Sequence, residues 1–146
     1  MLSRSLHRNI LEEERNHSSN NSERVAVVTG SSRGIGKAIA TEFANAGYSV
    51  VINARNEEEL KRAAEDISRS IKDGGKVISI PGDVSQEDLC ISMIEGAIKQ
   101  FGRIDVLVNN AGIGGESKKI HDITEKDWDE VIDINLKGAF CAQEKQ

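Results

Sequence analysis

One stretch constrains the fold more than any other, a short apolar strand that leads into a glycine-rich turn. The predicted strand, Arg24 to Thr29, contains Val25-Ala26-Val27-Val28, which is apolar at every position and not at every second one. Such runs are typical of parallel sheets covered on both faces. The turn that follows, Thr29 to Gly36, opens a segment with helical spacing of apolar residues. A strand, a glycine turn and a helix in this order direct backbone N–H groups and the positive end of the helix dipole at one point, which suits a phosphate.

The glycines of this turn have separate predicted tasks. Gly30 allows the tight turn off the strand, Gly34 lets the backbone approach a diphosphate, and Gly36 lets the helix pack closely on the sheet. Their spacing is G-x-x-x-G-x-G, not the G-x-G-x-x-G of many dinucleotide sites. Because an ordinary strand-to-helix turn can also be rich in glycine, the turn alone leaves both interpretations open.

The rest of the chain repeats the strand-then-helix pattern at a pitch of roughly 25 to 28 residues, as a βαβ series does. Further strands are predicted over Ser49 to Asn53, Lys76 to Ile80 and Asp105 to Asn109. Helices are predicted from Gly34 to Ala46 and from capping residues at Asn56, Ser85 and Thr124. Right-handed crossovers give an α/β fold with a doubly wound parallel sheet of spatial order 3-2-1-4, and ligands bind such a sheet where the order reverses.

Composition excludes several classes of function. The formal net charge of -5 provides no basic field for nucleic acid or an anionic membrane, and no run of about 20 apolar residues is present to span a bilayer. With 3 histidines and 2 cysteines, the sequence has little material for a metal site or Ser-His-Asp chemistry. Cys90 and Cys141 are predicted to be reduced, buried thiols of a cytoplasmic protein.

The first 22 residues are predicted to be a disordered extension, and residues 23–146 a dinucleotide-binding domain. Arginines and glutamates balance in the extension, which ends in a polar run over residues 17–22 with nothing to bury. A mitochondrial presequence is the alternative, and the glutamates at residues 12–14 argue against it.

Three motifs follow predicted strands, and a fourth lies within the last predicted helix. They are Thr29 to Gly36, Gly82-Asp83-Val84, Asn109-Asn110-Ala111-Gly112 and Asp133-Ile134-Asn135-Leu136. In this order and at these intervals they resemble the amino-terminal half of a short-chain dehydrogenase/reductase, from about Arg24 to the last residue. The resemblance implies a Rossmann-type domain that binds a nicotinamide dinucleotide.

The resemblance also implies a role for each motif. The turn residues implied to bind the cofactor are Gly30, Ser31, Ser32, Arg33, Gly34, Ile35 and Gly36. Asp83 would accept a hydrogen bond from the adenine amino group while the Val84 backbone supports the ring. Asn110 would lie beside the ribose with the small residues Ala111 and Gly112, and Asn109 would brace the strands. The alternatives are an aspartate in an ordinary turn and asparagines that only join loops.

Charge favours NADP(H) over NAD(H). Sites built for NAD carry an acidic residue at the end of the second strand, whereas this strand ends Ile52-Asn53-Ala54-Arg55. Arg33 supplies a second cation, and two guanidinium groups can clamp a phosphate through paired hydrogen bonds. A solvated Arg55 is the alternative.

Only one catalytic position of the family is matched, Asn135. Counted at 100° per residue from Trp128, it falls within an apolar arc and is predicted to have a specific partner. The family moves a hydride between the nicotinamide and a carbonyl or alcohol, with a tyrosine as general acid/base and a lysine four residues later. Here the single tyrosine, Tyr48, is followed four residues later by Ile52. The chain is therefore predicted to be a truncated, inactive form.

Three hypotheses remain open at this point. The chain is a shortened NADP(H)-dependent oxidoreductase, similar to 3-oxoacyl-carrier-protein reductases or sugar and alcohol dehydrogenases. Alternatively, it is a non-catalytic nucleotide-binding or subunit-interaction module, or an unstable remnant. Because the fourth strand would have an unpaired edge, the chain is expected to dimerise, bind a partner or aggregate. The resemblance implies that the fourth and fifth helices form a subunit interface, so one predicted outcome is a homo-oligomer through residues 124–146.

Overall fold

The computed structural model describes residues 24–71 and 75–144. The strands are β1 (Val25–Val28), β2 (Ser49–Ala54), β3 (Val77–Pro81) and β4 (Val106–Val108). The helices are α1 (Gly34–Asn45), α2 (Glu57–Ser70), α3 (Glu87–Phe101), α4 (Glu125–Ile132) and α5 (Gly138–Glu144). A short 3₁₀ turn (Ile120–Asp122) precedes α4, and a π-helical turn (Asp133–Lys137) joins α4 to α5. The predicted extension over residues 1–22 lies outside the described residues.

The strands form one parallel sheet in the order β3-β2-β1-β4, which confirms the predicted topology. Strand β1 lies between β2 and β4, with Val27 paired to Val51 on one side and to Leu107 on the other. The sheet order therefore reverses beside β1, and the glycine turn follows β1 directly. This places the turn where doubly wound sheets bind ligands.

The continuous apolar character of β1 is explained by helices on both faces of the sheet. Alternate residues of a strand point to opposite faces, and Val25 and Val27 join one core with residues of α3 and α5, including Cys90 and Cys141. Val28 joins the other core with residues of α1 and α2. All four residues of β1 are buried. Both cysteines are free and buried.

Two of the three predicted side-chain caps are present. The Asn56 side chain accepts a hydrogen bond from the Glu59 N–H at 3.0 Å, and Thr124 forms a reciprocal capping box with Asp127. The cap predicted at Ser85 is wrong, because α3 begins two residues later and its N-terminus has no side-chain cap. The Ser85 N–H instead donates to Asp83.

The buried face predicted for the last helix is also wrong. The π-helical turn widens the backbone, so the count of 100° per residue from Trp128 no longer identifies the buried side. Ile134 is buried, whereas Asn135 is exposed and Leu136 is 63% exposed. In α1, Ile35 is 75% exposed, whereas Gly36, Ala40 and Ala44 are buried.

Within residues 24–71 and 75–144, no helix has both the length and the apolar character needed to cross a bilayer. The same described residues include no cluster of histidine, cysteine, aspartate and glutamate suited to a metal ion.

Candidate nucleotide-binding cleft

A cleft of about 440 Å³ lies at the carboxyl ends of the four strands, a volume within the usual range for small-molecule sites. Its walls come from the residues that follow β1, β2, β3 and β4. From the predicted set, the cleft is lined by Gly30, Ser32, Arg33, Ile35, Gly36, Arg55, Asp83, Val84, Asn110, Ala111 and Gly112. Ser31, Gly34 and Asn135 are not among its lining residues. The structure therefore brings together most residues of the predicted site.

The glycine turn is closely packed at its base and open above. Gly30 has a φ of 63°, and a Cβ there would lie 2.7 Å from the Ala111 Cα. A Cβ on Gly36 would collide with the Gly30 carbonyl oxygen and the Asn110 amide nitrogen. Gly34 has a φ of 57°, but a Cβ there would meet nothing within 4 Å. Because the first N–H groups of α1 lack partners within the helix, the start of this helix suits the approach of an anionic group.

Thr29 and Asn110 fasten the end of β4 to the glycine turn. The Asn110 Nδ2 donates to the carbonyl oxygens of Thr29 and Gly30, each at 3.0 Å. The Thr29 hydroxyl oxygen accepts from the N–H groups of Asn110 and Ala111, also at 3.0 Å. The bracing role predicted for Asn109 therefore belongs to Asn110, and Asn109 is exposed.

Ser31 forms hydrogen bonds within the protein and does not face the cleft, whereas the resemblance implies a cofactor-binding position. It is fully buried, and its hydroxyl donates to the Val28 carbonyl at 2.7 Å. Its N–H donates to the Asn53 carbonyl at 2.8 Å, and the Asn53 N–H donates back to the Ser31 hydroxyl oxygen at 3.0 Å. These bonds fix the turn to the end of β2.

Asn53 is a residue whose importance the sequence analysis missed. Its side chain is buried at the end of β2, and its Nδ2 donates to the carbonyl oxygens of Ile80 and Gly82 at 2.9 and 3.2 Å. It therefore joins the ends of β2 and β3 as well as binding the glycine turn. A polar side chain that ends an otherwise apolar strand was the available signal, because a buried amide must be hydrogen-bonded.

Asp83 and Val84 form the cleft wall after β3. One carboxylate oxygen of Asp83 accepts from the Ser85 N–H at 2.9 Å, which forms a local turn. Val84 is 5% exposed, and its carbonyl accepts from the Cys90 thiol with an Sγ-to-oxygen distance of 3.5 Å. Burial, with a smaller contribution from the adjacent Cys141, raises the pKa of Cys90 to about 11. The thiol therefore keeps the proton that it donates.

The charged residues of the cleft lie at the ends of β1 and β2. Arg33 and Arg55 both line it and both are exposed. Asn56 and Glu59, from the start of α2, also line it and were not part of the predicted site. Their position follows from the α2 cap, because Asn56 turns the chain into the helix directly after Arg55.

Asn135 has a specific hydrogen-bonding partner, as predicted, but it lies on an exposed side of the helix. Its Oδ1 accepts from the Ile113 N–H at 2.8 Å, and its Nδ2 donates to the Ile113 carbonyl at 3.0 Å. This pair of bonds holds the loop after β4 against the π-helical turn. Ile113 lines the cleft, so Asn135 affects the cleft wall through its hydrogen bonds to Ile113.

The parallel sheet, its order reversal and the glycine turn at that point define a dinucleotide-binding α/β domain. A family model described as short chain dehydrogenase matches residues 24–145. The chain belongs to the short-chain dehydrogenase/reductase family of oxidoreductases.

Curated relatives and solved structures agree with this assignment. The chain is 40% identical over 118 residues to glucose 1-dehydrogenase 2 of Bacillus subtilis, covering 80% of this chain and 45% of the relative. It is 42% identical over 120 residues to the 3-oxoacyl-[acyl-carrier-protein] reductase FabG of Staphylococcus aureus, covering 81% and 47%. It therefore spans about half the length of these curated relatives.

Two structural neighbours were solved with a cofactor. A metagenomic short-chain oxidoreductase in complex with NADP matches with a TM-score of 0.78 and 38% identity, over 84% of this chain and 54% of the neighbour. L-Sorbose reductase from Gluconobacter frateurii, complexed with NADPH and L-sorbose, matches with a TM-score of 0.78 and 33% identity, over 84% and 45%.

Proposed function

We propose that this chain binds NADP(H) in the cleft between β1 and β4, as the cofactor-binding part of a short-chain dehydrogenase/reductase. The observation that carries the proposal is the convergence of the glycine turn, Asp83-Val84 and Asn110-Ala111-Gly112 on one cleft. The closely packed base of the turn and the first N–H groups of α1 fit a diphosphate. Asp83 and Val84 serve the adenine, and Asn110 the ribose.

The preference for NADP(H) over NAD(H) rests on Arg33 and Arg55. Both arginines line the same cleft, and β2 ends without the acidic residue that would repel a phosphate on the ribose. Guanidinium groups bind phosphates through paired, charge-assisted hydrogen bonds. The two neighbours solved with NADP or NADPH support this preference.

A bound nicotinamide would supply hydride chemistry toward a carbonyl or an alcohol. The substrate class proposed for the whole protein is a 3-oxoacyl thioester or a sugar or other alcohol, since the relatives at 40% and 42% identity are named for such activities. The chain contains no Tyr-x-x-x-Lys, and without these groups the proton transfer lacks its general acid/base. This chain is accordingly proposed to bind cofactor without turnover. Its proposed location is the cytoplasm.

Titration with NADPH and NADH, followed by nicotinamide fluorescence, tests the binding proposal. We expect saturable binding of NADPH and at least about tenfold weaker binding of NADH, a difference of about 1.4 kcal/mol. Arg33→Ala and Arg55→Ala should each weaken NADPH binding and leave NADH binding unchanged. Arg62→Ala is the matched control, because Arg62 is exposed on α2 and does not line the cleft.

Equal affinity for the two cofactors would contradict the NADP(H) preference. A chain without cooperative unfolding and without binding would favour the remnant hypothesis. Oxidation of NADPH by the purified chain in the presence of 3-oxoacyl thioesters or sugars would contradict the proposed inactivity.

A second candidate function is association with another copy of the chain through residues 124–146. Trp128, Leu136 and Phe140 are 55%, 63% and 63% exposed on α4, the π-helical turn and α5, and large exposed apolar residues are typical of interfaces. Sedimentation should show a dimer that Phe140→Glu dissociates, with Lys61→Glu as a control at an exposed position on α2, outside this segment. A monomer at all concentrations would contradict this candidate.

A further inference from the structure

Gly138 packs directly against Val84, which belongs to the cleft wall. It is the first residue of α5 and is buried. A Cβ on Gly138 would lie 2.8 Å from the Val84 Cγ2, 3.1 Å from the Val84 carbonyl oxygen and 3.2 Å from the Val84 Cβ. These distances are shorter than ordinary van der Waals contacts, so any larger side chain at this position must displace Val84.

Val84 has little room to move away from α5. Its carbonyl oxygen, which the added Cβ would approach, already accepts a hydrogen bond from the Cys90 thiol of α3. Immediately before it, the Asp83 carboxylate is fixed by the Ser85 N–H, and the Gln86 N–H donates to the Asp83 carbonyl at 3.0 Å. An added methyl group must therefore shift the backbone that lines the cleft, not only a side-chain tip.

We propose that Gly138 is a positioning residue for the adenine end of the cleft. Because it lacks a side chain, α5 approaches closely enough to set the position of Val84 and, through the same turn, of Asp83. This inference rests on the proposed function of the cleft. Gly138 does not line the cleft and acts on it through Val84.

The test compares Gly138→Ala with Gly114→Ala. Gly114 is the matched control, because a Cβ there would meet nothing within 4 Å. Each variant is titrated with NADPH and with the adenosine bisphosphate fragment of NADPH, which lacks the nicotinamide half. We expect about tenfold weaker binding of both ligands to Gly138→Ala, and wild-type affinity for Gly114→Ala. An equal loss for the fragment and the whole cofactor locates the effect at the adenine end.

Adding Val84→Ala to Gly138→Ala separates positioning from a general loss of stability. It removes the Cγ2 contact and should restore part of the affinity lost in Gly138→Ala. If Gly138→Ala does not fold, the double variant is compared with Val84→Ala, and weaker fragment binding is expected because the contact with the Val84 carbonyl oxygen remains.

The possible failures are distinguishable. A folded Gly138→Ala with wild-type affinity for the fragment would overturn the positioning role and leave the proposed function intact. A double variant that recovers its unfolding midpoint but none of its affinity would also overturn it. A wild-type chain that binds neither ligand would overturn the proposed function itself.

Discussion

The side-chain nitrogen of Asn110 lies 3.0 Å from the Gly30 carbonyl oxygen, so a residue after β4 fixes the shape of the turn after β1. The two residues are 80 positions apart in the chain. The same nitrogen donates to the Thr29 carbonyl. The glycine turn is therefore held by a contact across the sheet order reversal and not by its own sequence alone.

Asn110→Ala is expected to lower the free energy of unfolding by about 1–3 kcal/mol, because it leaves two carbonyl groups of the turn without their amide partner. It should also weaken NADPH binding. Urea denaturation and cofactor titration measure the two effects. Asn109→Ala, at the exposed neighbour, should change the stability by no more than about 0.5 kcal/mol. A larger effect at Asn109 than at Asn110 would contradict the assignment.

Asn53→Ala should be at least as destabilising, by about 2 kcal/mol or more, because the Ile80 and Gly82 carbonyls both lose a donor and a cavity is left. Since the Ser31–Asn53 backbone bonds remain, the glycine turn should stay attached to β2. The urea midpoint measures the loss, and Asn56→Ala, which removes only an exposed helix cap, should cost about 1 kcal/mol. An Asn53→Ala variant as stable as wild type would show that its buried amide is dispensable.

The sheet and most of the cleft were predictable from the sequence because each depends on local signals. The apolar run of β1 requires cover on both faces, and the motifs after the strands converge wherever parallel strands end at one edge. The strand positions, to within one residue at each end, the topology and the caps at Asn56 and Thr124 follow from such signals.

Features that depend on tertiary contacts were not predictable in this way. Ser31 belongs to the glycine motif, yet its hydroxyl is used by the Val28 carbonyl, and only the three-dimensional position of β2 decides that. The π-helical turn at Asp133–Lys137 changes which side chains are buried, and helical periodicity carries no sign of it. Asn56 was predicted only as a helix cap, although the cleft reaches both it and Glu59.

Acid should weaken the fold through Asp105. This carboxylate accepts from the Val25 N–H at 2.8 Å and from the Arg103 guanidinium. Burial acts to raise its pKa, but the hydrogen bonds from Arg103 and Val25 outweigh burial and lower the pKa below its ordinary 3.8. The ionised group therefore stabilises the folded state above the unfolded pKa, and this stability is lost as the pH falls through the folded pKa.

Asp105→Asn is thus expected to lower the free energy of unfolding at pH 7 by about 2 kcal/mol, because a charged hydrogen bond is lost. Urea denaturation measures this loss, and the difference from wild type should shrink below pH 4. The control is Asp129→Asn, at an exposed position on α4. A difference that stays constant down to pH 2 would show that Asp105 does not act through its charge.

Asn135→Ala should loosen the loop after β4 without unfolding the sheet. The variant removes both hydrogen bonds to Ile113, one to its N–H and one to its carbonyl. The loop remains attached further along, where the Lys118 ammonium lies 3.1 Å from the Asp127 carboxylate. Hydrogen exchange should therefore become faster at the Ile113 amide, while the amides of β1 exchange at the wild-type rate.

Asn135→Gln is the second variant, because the longer amide keeps both hydrogen-bonding groups but cannot hold them at the same distance. It should give intermediate exchange at Ile113. As a control, Lys118→Ala should accelerate exchange near residue 118 more than at Ile113.

Since Ile113 lines the cleft, Asn135→Ala should also weaken NADPH binding modestly, by about threefold or less. Unchanged exchange at Ile113 would show that another contact holds the loop, and Asn135 would then have no positioning role in the cleft.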